Sequence, residues 1–143
     1  MSKFHWLEKL ELDDGQVLMA RIAELLPAGP AELLPFGLST QLVTPIGARP
    51  DSSRYEVHFR NVGAFRVVPE PFNELSLEAE RLQPFLFKEI ASSYLESMEG
   101  AMNLANIPIN EGVMHYVIYT DNHVVHVLTS SEPKLIVLAA HGP

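Results

Sequence analysis

The chain has 143 residues, which fits one globular domain with a core of its own. Hydrophobic residues make up 47% and charged residues 20% of it, which argues against an intrinsically disordered chain. Ten Lys and Arg against eighteen Asp and Glu give a net charge of −8 without a basic cluster, so a nucleic-acid-binding surface is not expected. The absence of cysteine excludes disulfides, thiol catalysis and cysteine-ligated zinc.

The sequence contains no recognisable targeting segment. The first residues, MSKFHWLEKLELDD, lack the apolar core of a secretory signal. The longest apolar runs, such as Leu135–Ala140, are much shorter than the roughly 18–20 residues of a membrane-spanning helix. We therefore expect residues 1–143 to form a single cytoplasmic domain with no membrane partner.

The first third of the chain alternates between apolar runs and turn residues. Trp6–Leu12 and Gln16–Leu25 flank Asp13-Asp14-Gly15, and an Asp-Gly pair between apolar runs indicates a β-hairpin. The second run also fits a short helix, although a strand is preferred. The segments expected to follow are a connection at 27–35 with one helical turn at Ala31–Leu34, an extended segment at 36–44 and a loop at 46–53.

The middle of the chain predicts two strands. Arg54–Phe59 alternates strictly, with Tyr55, Val57 and Phe59 on one face, which is typical of a half-buried strand. Asn61 then marks a turn or a bulge, and residues 64–68 predict the second strand.

Residues 84–99 carry the pattern of an amphipathic helix. The apolar side chains at intervals near 3.6 residues are Phe85, Ile90, Tyr94, Leu95 and Met98. Proline at 84 suits the first turn of a helix and glycine at 100 suits its end. We expect this helix to cover one face of a sheet.

The final third predicts strands alone. Val113–Thr120 and His123–Thr129 are joined by Asp121-Asn122, which suits a two-residue turn, and Lys134–Ala140 follows as a last strand. The predicted fold class is therefore α+β. It consists of a mostly antiparallel sheet of about five to seven strands covered by one main helix at about 84–99.

Three segments, taken in order, resemble a bacterial family. They are YEVHFRNVGAFRVVPE at Tyr55–Glu70, FLFKEIASSYLESM at Phe85–Met98 and HYVIYTDNHVVHVLT at His115–Thr129. This layout, F-x-x-V-x-A-[FY]-R, then E-S, then H-Y-x-I-Y-T-x-N-x-x-x-x-V-L, is similar to that of small bacterial proteins of unknown function. The resemblance covers about the C-terminal two thirds of the chain. It implies a shared fold and a bacterial source, and it implies no catalytic residue.

The candidate ligand-binding residues are mostly histidines on predicted strands. If Asp121-Asn122 form the turn, then His115, Tyr119 and His126 share one sheet face, and the two histidines are diagonal neighbours. His58 would add a third imidazole if its strand lies alongside. No carboxylate lies at ligand spacing beside these histidines, so neither a metal ion nor another cofactor is expected.

Arg66 is a further candidate because it interrupts an otherwise apolar strand. The ordinary explanation for such a charge is an ion pair, and Glu70 or Glu96 could supply the carboxylate. A ligand-binding arginine is the less favoured interpretation.

No motif in the chain predicts catalysis. Ser92-Ser93 fall within the predicted helix, without the Gly-x-Ser-x-Gly turn that presents a nucleophile. The glutamates between 70 and 99 are expected to form a solvated acidic surface, and the isolated glycines match no phosphate-binding loop. An enzyme is not favoured, and no catalytic residue is assigned.

Two functions of different kinds remain. The first is a non-enzymatic protein-interaction domain, such as an antidote or immunity-type protein, which binds a protein partner or forms a homodimer. This function is suggested by the acidic charge and by the apolar strand at 135–140. That strand fits a sheet edge that pairs with a second copy, and it fits a buried central position equally well. The alternative is a small-molecule or metal-binding site on the sheet face that bears His115 and His126.

Overall fold

The computed structural model describes residues 4–13, 17–27, 29–43, 45–69, 79–90, 92–104 and 112–138. Within them the chain forms twelve β-strands and one α-helix. The elements are β1 (His5–Leu12), β2 (Leu18–Pro27), β3 (Glu32–Phe36), β4 (Ser39–Val43), β5 (Ile46–Ala48), β6 (Arg54–Phe59), β7 (Val62–Pro69), β8 (Glu80–Gln83), β9 (Leu86–Glu89), α1 (Ser93–Leu104), β10 (Met114–Tyr119), β11 (His123–Thr129) and β12 (Lys134–Leu138).

Ten of these strands form two antiparallel sheets. Sheet 1 has the order β1-β2-β6-β12, with β5 also paired to β2, and sheet 2 has the order β7-β11-β10-β9-β8. The remaining strands, β3 and β4, pair with each other as a separate two-stranded sheet. The described part of the chain is therefore mostly antiparallel β-structure in three sheets.

The hydrophobic core lies between the inner faces of sheets 1 and 2. The alternation along β6 buries Tyr55, Val57 and Phe59, as the sequence predicts. From sheet 2, Tyr116 meets this layer, and its ring centroid lies 5.9 Å from that of Phe59. The other buried members of the core are Leu18, Ala20, Ile22, Val62, Phe85, Leu86, Ile118, Val125 and Val127. The two sheets thus pack face to face as a β-sandwich.

The β10–β11 turn also ties the two sheets together. The backbone N–H of Thr120 donates to the carbonyl of His123 at 3.1 Å, which closes the predicted two-residue turn. Beyond the turn, the Asp121 carboxylate accepts the backbone N–H of His5 at 2.9 Å. The Asn122 amide accepts from and donates to the backbone of Leu7, at 2.9 and 3.0 Å. The side chains of the turn therefore extend the hydrogen bonding of sheet 2 onto β1 of sheet 1.

The predicted α+β class with one main helix at 84–99 is wrong. Residues 80–89 form the β8–β9 hairpin, with Phe85 in its turn, and the helix begins only at Ser93. Leu86–Glu89 pair antiparallel with β10, from Ile118 with Leu86 to His115 with Glu89, so their backbone hydrogen bonds go to a neighbouring strand and not along a helix. The apolar spacing that imitates a helix arises from a strand, a turn and a shorter helix in succession. Ile90, which the helix would bury, is 70% exposed.

Other predicted elements have mixed outcomes. The β1–β2 hairpin is confirmed by its antiparallel register, while residues 14–16 lie outside the described residues. The helical turn at Ala31–Leu34 is wrong because those residues enter β3, and the loop at 46–53 begins with the short strand β5. The final strand is confirmed as far as Leu138, and residues 139–143 are not among those described.

Candidate functional site

The outer face of sheet 2, turned away from sheet 1, carries two histidines that connect to the hydroxyl of Ser92, the residue before α1. In the β10–β11 register Val117 pairs with His126 and His115 pairs with Leu128, so the two histidines are the diagonal neighbours that the turn predicts. Nε2 of His115 lies 2.8 Å from Nδ1 of His126. On its other side, Nδ1 of His115 lies 2.6 Å from Oγ of Ser92. We call Ser92, His115 and His126 the serine–histidine chain.

Ser92 is placed by the helix that follows it. Its Oγ accepts the backbone N–H of Leu95 at 2.9 Å, which makes Ser92 the N-cap of α1. Because Oγ already accepts this bond, we infer that its hydroxyl proton is donated to Nδ1 of His115. His115 then carries its own proton on Nε2 and donates it to Nδ1 of His126. In this arrangement each of the two contacts of the serine–histidine chain has one donor and one acceptor.

The first turn of α1 covers the two imidazoles. The ring of Tyr94 stands edge-on to both, with centroids 5.5 Å from His115 and 6.0 Å from His126. The guanidinium of Arg66, from β7, lies over the same tyrosine ring at 4.4 Å, a cation–π contact. His115 and His126 are only 5% and 4% exposed. The two imidazoles are therefore buried between the helix and the sheet, while Ser92 is half-buried at the edge of this contact.

Burial keeps both imidazoles uncharged. Loss of hydration is the largest cause that lowers the pKa of His115 to about 4, and the neighbouring His126 and Arg66 contribute to the same shift. The pKa of His126 is lowered to about 4, first by burial and then by Arg66. At neutral pH each ring therefore offers one N–H donor and one nitrogen acceptor.

A pocket of about 310 Å³ opens beside Ser92 and His115. Its volume lies at the lower end of the range for small-molecule sites. Apolar side chains form much of its wall, and charged side chains lie around them. The remaining lining residues are Glu80, Lys88, Glu89, Ile90, Leu95, Val113 and Met114.

The structure separates the residues that the sequence proposed as one site. His115, His126 and Arg66 come together under α1. Tyr119 lies farther along β10, where it lines a different cleft of about 370 Å³ that also includes His5. His58 lies in sheet 1, and its Nε2 is 3.0 Å from the Glu56 carboxylate. Its strand is not adjacent to β10 or β11, so His58 does not lie beside His115 and His126 as a third imidazole.

The expected ion pair of Arg66 is also not found. Among the described residues no carboxylate lies within ion-pair distance of its guanidinium, and Glu70 falls outside them. The electron-rich ring face of Tyr94 takes that place. The alternation of residues along a strand does not reveal this partner, because Tyr94 belongs to a helix that is distant in sequence.

The sequence interpretation missed Ser92 and Tyr94 as members of the site. The predicted helix at 84–99 places both in its interior, where a serine has no capping role. The spacing of Ser93 and Glu96, S-x-x-E, is a helix-start signal only one residue from the true N-cap. That signal could have placed the beginning of the helix, though not its contact with His115.

Within the described ranges, no group of three or more His, Asp or Glu side chains could hold a metal ion. No described helix is both long and apolar enough to cross a membrane. Comparison of the chain with protein-family models, with curated proteins and with solved structures finds no match. The function is therefore argued from the geometry of this chain.

Proposed function

We propose that this chain is a cytoplasmic protein-interaction domain whose binding element is the β3–β4 hairpin, Glu32–Val43, called the arm below. The observation that carries the proposal is the exposure of its leucines. Leu33 and Leu42 are each 70% exposed and pair directly across the two strands, so they lie side by side on one face. Leu38 at the tip is completely exposed. Adjacent apolar side chains left open to water are typical of a surface that binds another protein.

The arm projects from a fixed base. The strands on either side of it, β2 and β5, pair with each other through Leu25 with Ala48 and Pro27 with Ile46. Arg49 fastens the same place, since its Nη1 donates to the carbonyl of Pro27 at 2.8 Å. This base holds the two ends of the arm close together, which suits a hairpin.

The arm also has an energetic reason to bind. A lone two-stranded hairpin is only marginally stable in water. Burying an exposed leucine against a partner contributes about 2 kcal/mol, so contact through Leu33 and Leu42 would stabilise both the arm and the complex. The net charge of −8 favours a partner with basic residues around its apolar contact surface. An antidote that binds a basic toxin would be one protein of this kind, and a homodimer through two arms would be another.

The proposal is tested by photocrosslinking in the source cells. With p-benzoylphenylalanine in place of Leu38, we expect one dominant protein adduct. The double variant L33S/L42S should lose that adduct, because it removes the apolar face while retaining the strand register. An adduct of twice the chain mass identifies a second copy, and a different mass identifies a partner; either supports the proposal.

The control places the same crosslinker at Ile90, which is as exposed as Leu33 but lies away from the arm. An adduct that forms equally from both positions, or that persists in L33S/L42S, contradicts the arm as the binding element. Absence of any adduct from position 38 contradicts it as well. Circular dichroism of L33S/L42S should match that of the wild-type protein, because both leucines are solvent-exposed.

A further inference from the structure

We infer that the serine–histidine chain is a hydrolytic triad in which Ser92 attacks small carboxylic esters held in the adjacent pocket. This activity is separate from protein binding by the arm. Three features that a serine hydrolase requires occur together here: a nucleophile bonded to a base, a second group that orients the base, and N–H donors beside the nucleophile.

The nucleophile and its base are already in contact. The 2.6 Å distance from Ser92 Oγ to His115 Nδ1 is within the range for transfer of the hydroxyl proton as Oγ attacks. Both residues line the same pocket, so a substrate carbonyl can reach Oγ from there. His115 itself is 5% exposed, so little of the base is in contact with bulk solvent.

His126 takes the place that a carboxylate occupies in the commoner triads. Its Nδ1 accepts the Nε2 proton of His115 at 2.8 Å, which fixes the tautomer and the ring orientation of the base. It would also stabilise the imidazolium that forms when His115 takes the serine proton. His126 acts through His115 and is therefore a positioning residue.

The beginning of α1 supplies the donors for the oxyanion. Of the first three helical N–H groups, that of Leu95 is bonded to Ser92 Oγ. Those of Ser93 and Tyr94 have no acceptor among the described residues, as expected for the first turn of a helix. They lie next to the nucleophile at the positive end of the helix dipole, where negative charge develops during acyl transfer.

The pocket selects the substrate class. Leu95, Val113 and Met114 provide an apolar wall beside Ser92, which suits a short aliphatic acyl group. A volume of about 310 Å³ leaves little room beyond such a group and a small alcohol. We therefore expect esters of short-chain carboxylic acids to fit.

The reaction balances without a metal or redox partner. Ser92 Oγ bonds to the carbonyl carbon while its proton passes to Nδ1 of His115. The carbon–oxygen bond to the alcohol then breaks, and the departing alcohol takes that proton, which leaves an acyl-serine. Water attacks the acyl-serine with His115 again accepting a proton, and transfer of that proton back to Ser92 Oγ releases the carboxylic acid.

The groups that face His115 set the pH dependence of the reaction. They are His126 on β11, Arg66 on β7, Tyr94 on α1 and Glu89, its cross-strand neighbour on β9. With its pKa lowered to about 4, His115 is unprotonated throughout the physiological range. Hydrolysis should therefore be constant from about pH 5 to 8 and decline near pH 4.

The test uses the full chain, p-nitrophenyl butyrate as substrate and a fluorophosphonate probe that phosphorylates activated serines. We expect a single covalent adduct on Ser92, located by peptide mass spectrometry, and turnover that the probe abolishes. S97A is the matched control, because Ser97 is an exposed serine of α1 that does not line the pocket, and the variant should keep both the adduct and the rate. Failure of the folded wild-type protein to form an adduct on Ser92 overturns the inference, whatever the arm binds.

Two variants separate chemistry from folding. S92N keeps a good N-cap and should lose at least about 100-fold in kcat/KM together with the adduct. H126N keeps an acceptor for His115; it should lower kcat more than it raises KM and move the acid limb to higher pH, since a like-charge neighbour of His115 is removed. A purely structural role for His126 would leave the pH profile unchanged, and that result overturns the triad.

Discussion

A double variant in which His115 and His126 are both replaced by leucine should lose much less stability between pH 7 and pH 5 than the wild-type protein does. In the folded chain both histidines have a pKa of about 4, below the ordinary 6.5. Between these values the unfolded state binds more protons than the folded state, so stability falls as the pH is lowered from 6.5 to 4 and is fully present above 6.5. For these pKa values each histidine lowers the free energy of unfolding at pH 5 by about 2 kcal/mol relative to neutral pH.

The measurement is urea unfolding at the two pH values. The variant should retain a smaller pH dependence, because burial also lowers the pKa of His5. S92A is the matched control: it loses the helix cap, about 1 kcal/mol, at both pH values while keeping both imidazoles and the wild-type slope. A double-leucine variant whose stability falls with pH as steeply as that of the wild-type protein would contradict the buried, uncharged histidine pair.

Replacing Phe85 with alanine should cost about 3–5 kcal/mol of the free energy of unfolding. Phe85 is fully buried in the turn between β8 and β9. Its ring lies 5.3 Å from that of His5 and 5.2 Å from that of Tyr55, both of which belong to sheet 1. The alanine variant therefore leaves a cavity where the two sheets meet. The midpoint of urea unfolding measures the loss.

The control for this prediction is I90A, which should change stability by less than about 0.5 kcal/mol because Ile90 is 70% exposed. A helix over 84–99 would place Phe85 and Ile90 on the same buried stripe and make both substitutions costly. Equal, large effects of F85A and I90A would therefore contradict the β8–β9 hairpin.

The parts of the fold that could be predicted are those in which local rules decide the structure. The strict alternation of Arg54–Phe59 specifies one strand and its buried face. A two-residue turn at Asp121-Asn122 sets the register of both strands around it, and the proximity of His115 and His126 follows from that register. The histidine pair of the candidate site was thus within reach of the sequence.

The remainder depends on contacts between distant segments. At 84–90 the period of the apolar residues fits a helix, and the pairing of β9 with the distant strand β10 shows that this segment is a strand instead. Ser92 reaches His115 across 23 residues, through the packing of α1 on sheet 2. The leucines of the arm are solvent-exposed in the structure. In the sequence they cannot be distinguished from the buried leucines of an ordinary strand.

The most direct test of the site is long-range ¹H–¹⁵N correlation NMR of the histidine side chains at pH 6, which distinguishes the two neutral tautomers from imidazolium. The structure predicts that His115 and His126 are both neutral and that both carry the proton on Nε2, which is the tautomer required for Ser92 to donate to His115 and His115 to donate to His126. An imidazolium pattern for either ring at this pH, or rings that exchange rapidly between tautomers, would contradict the buried serine–histidine chain.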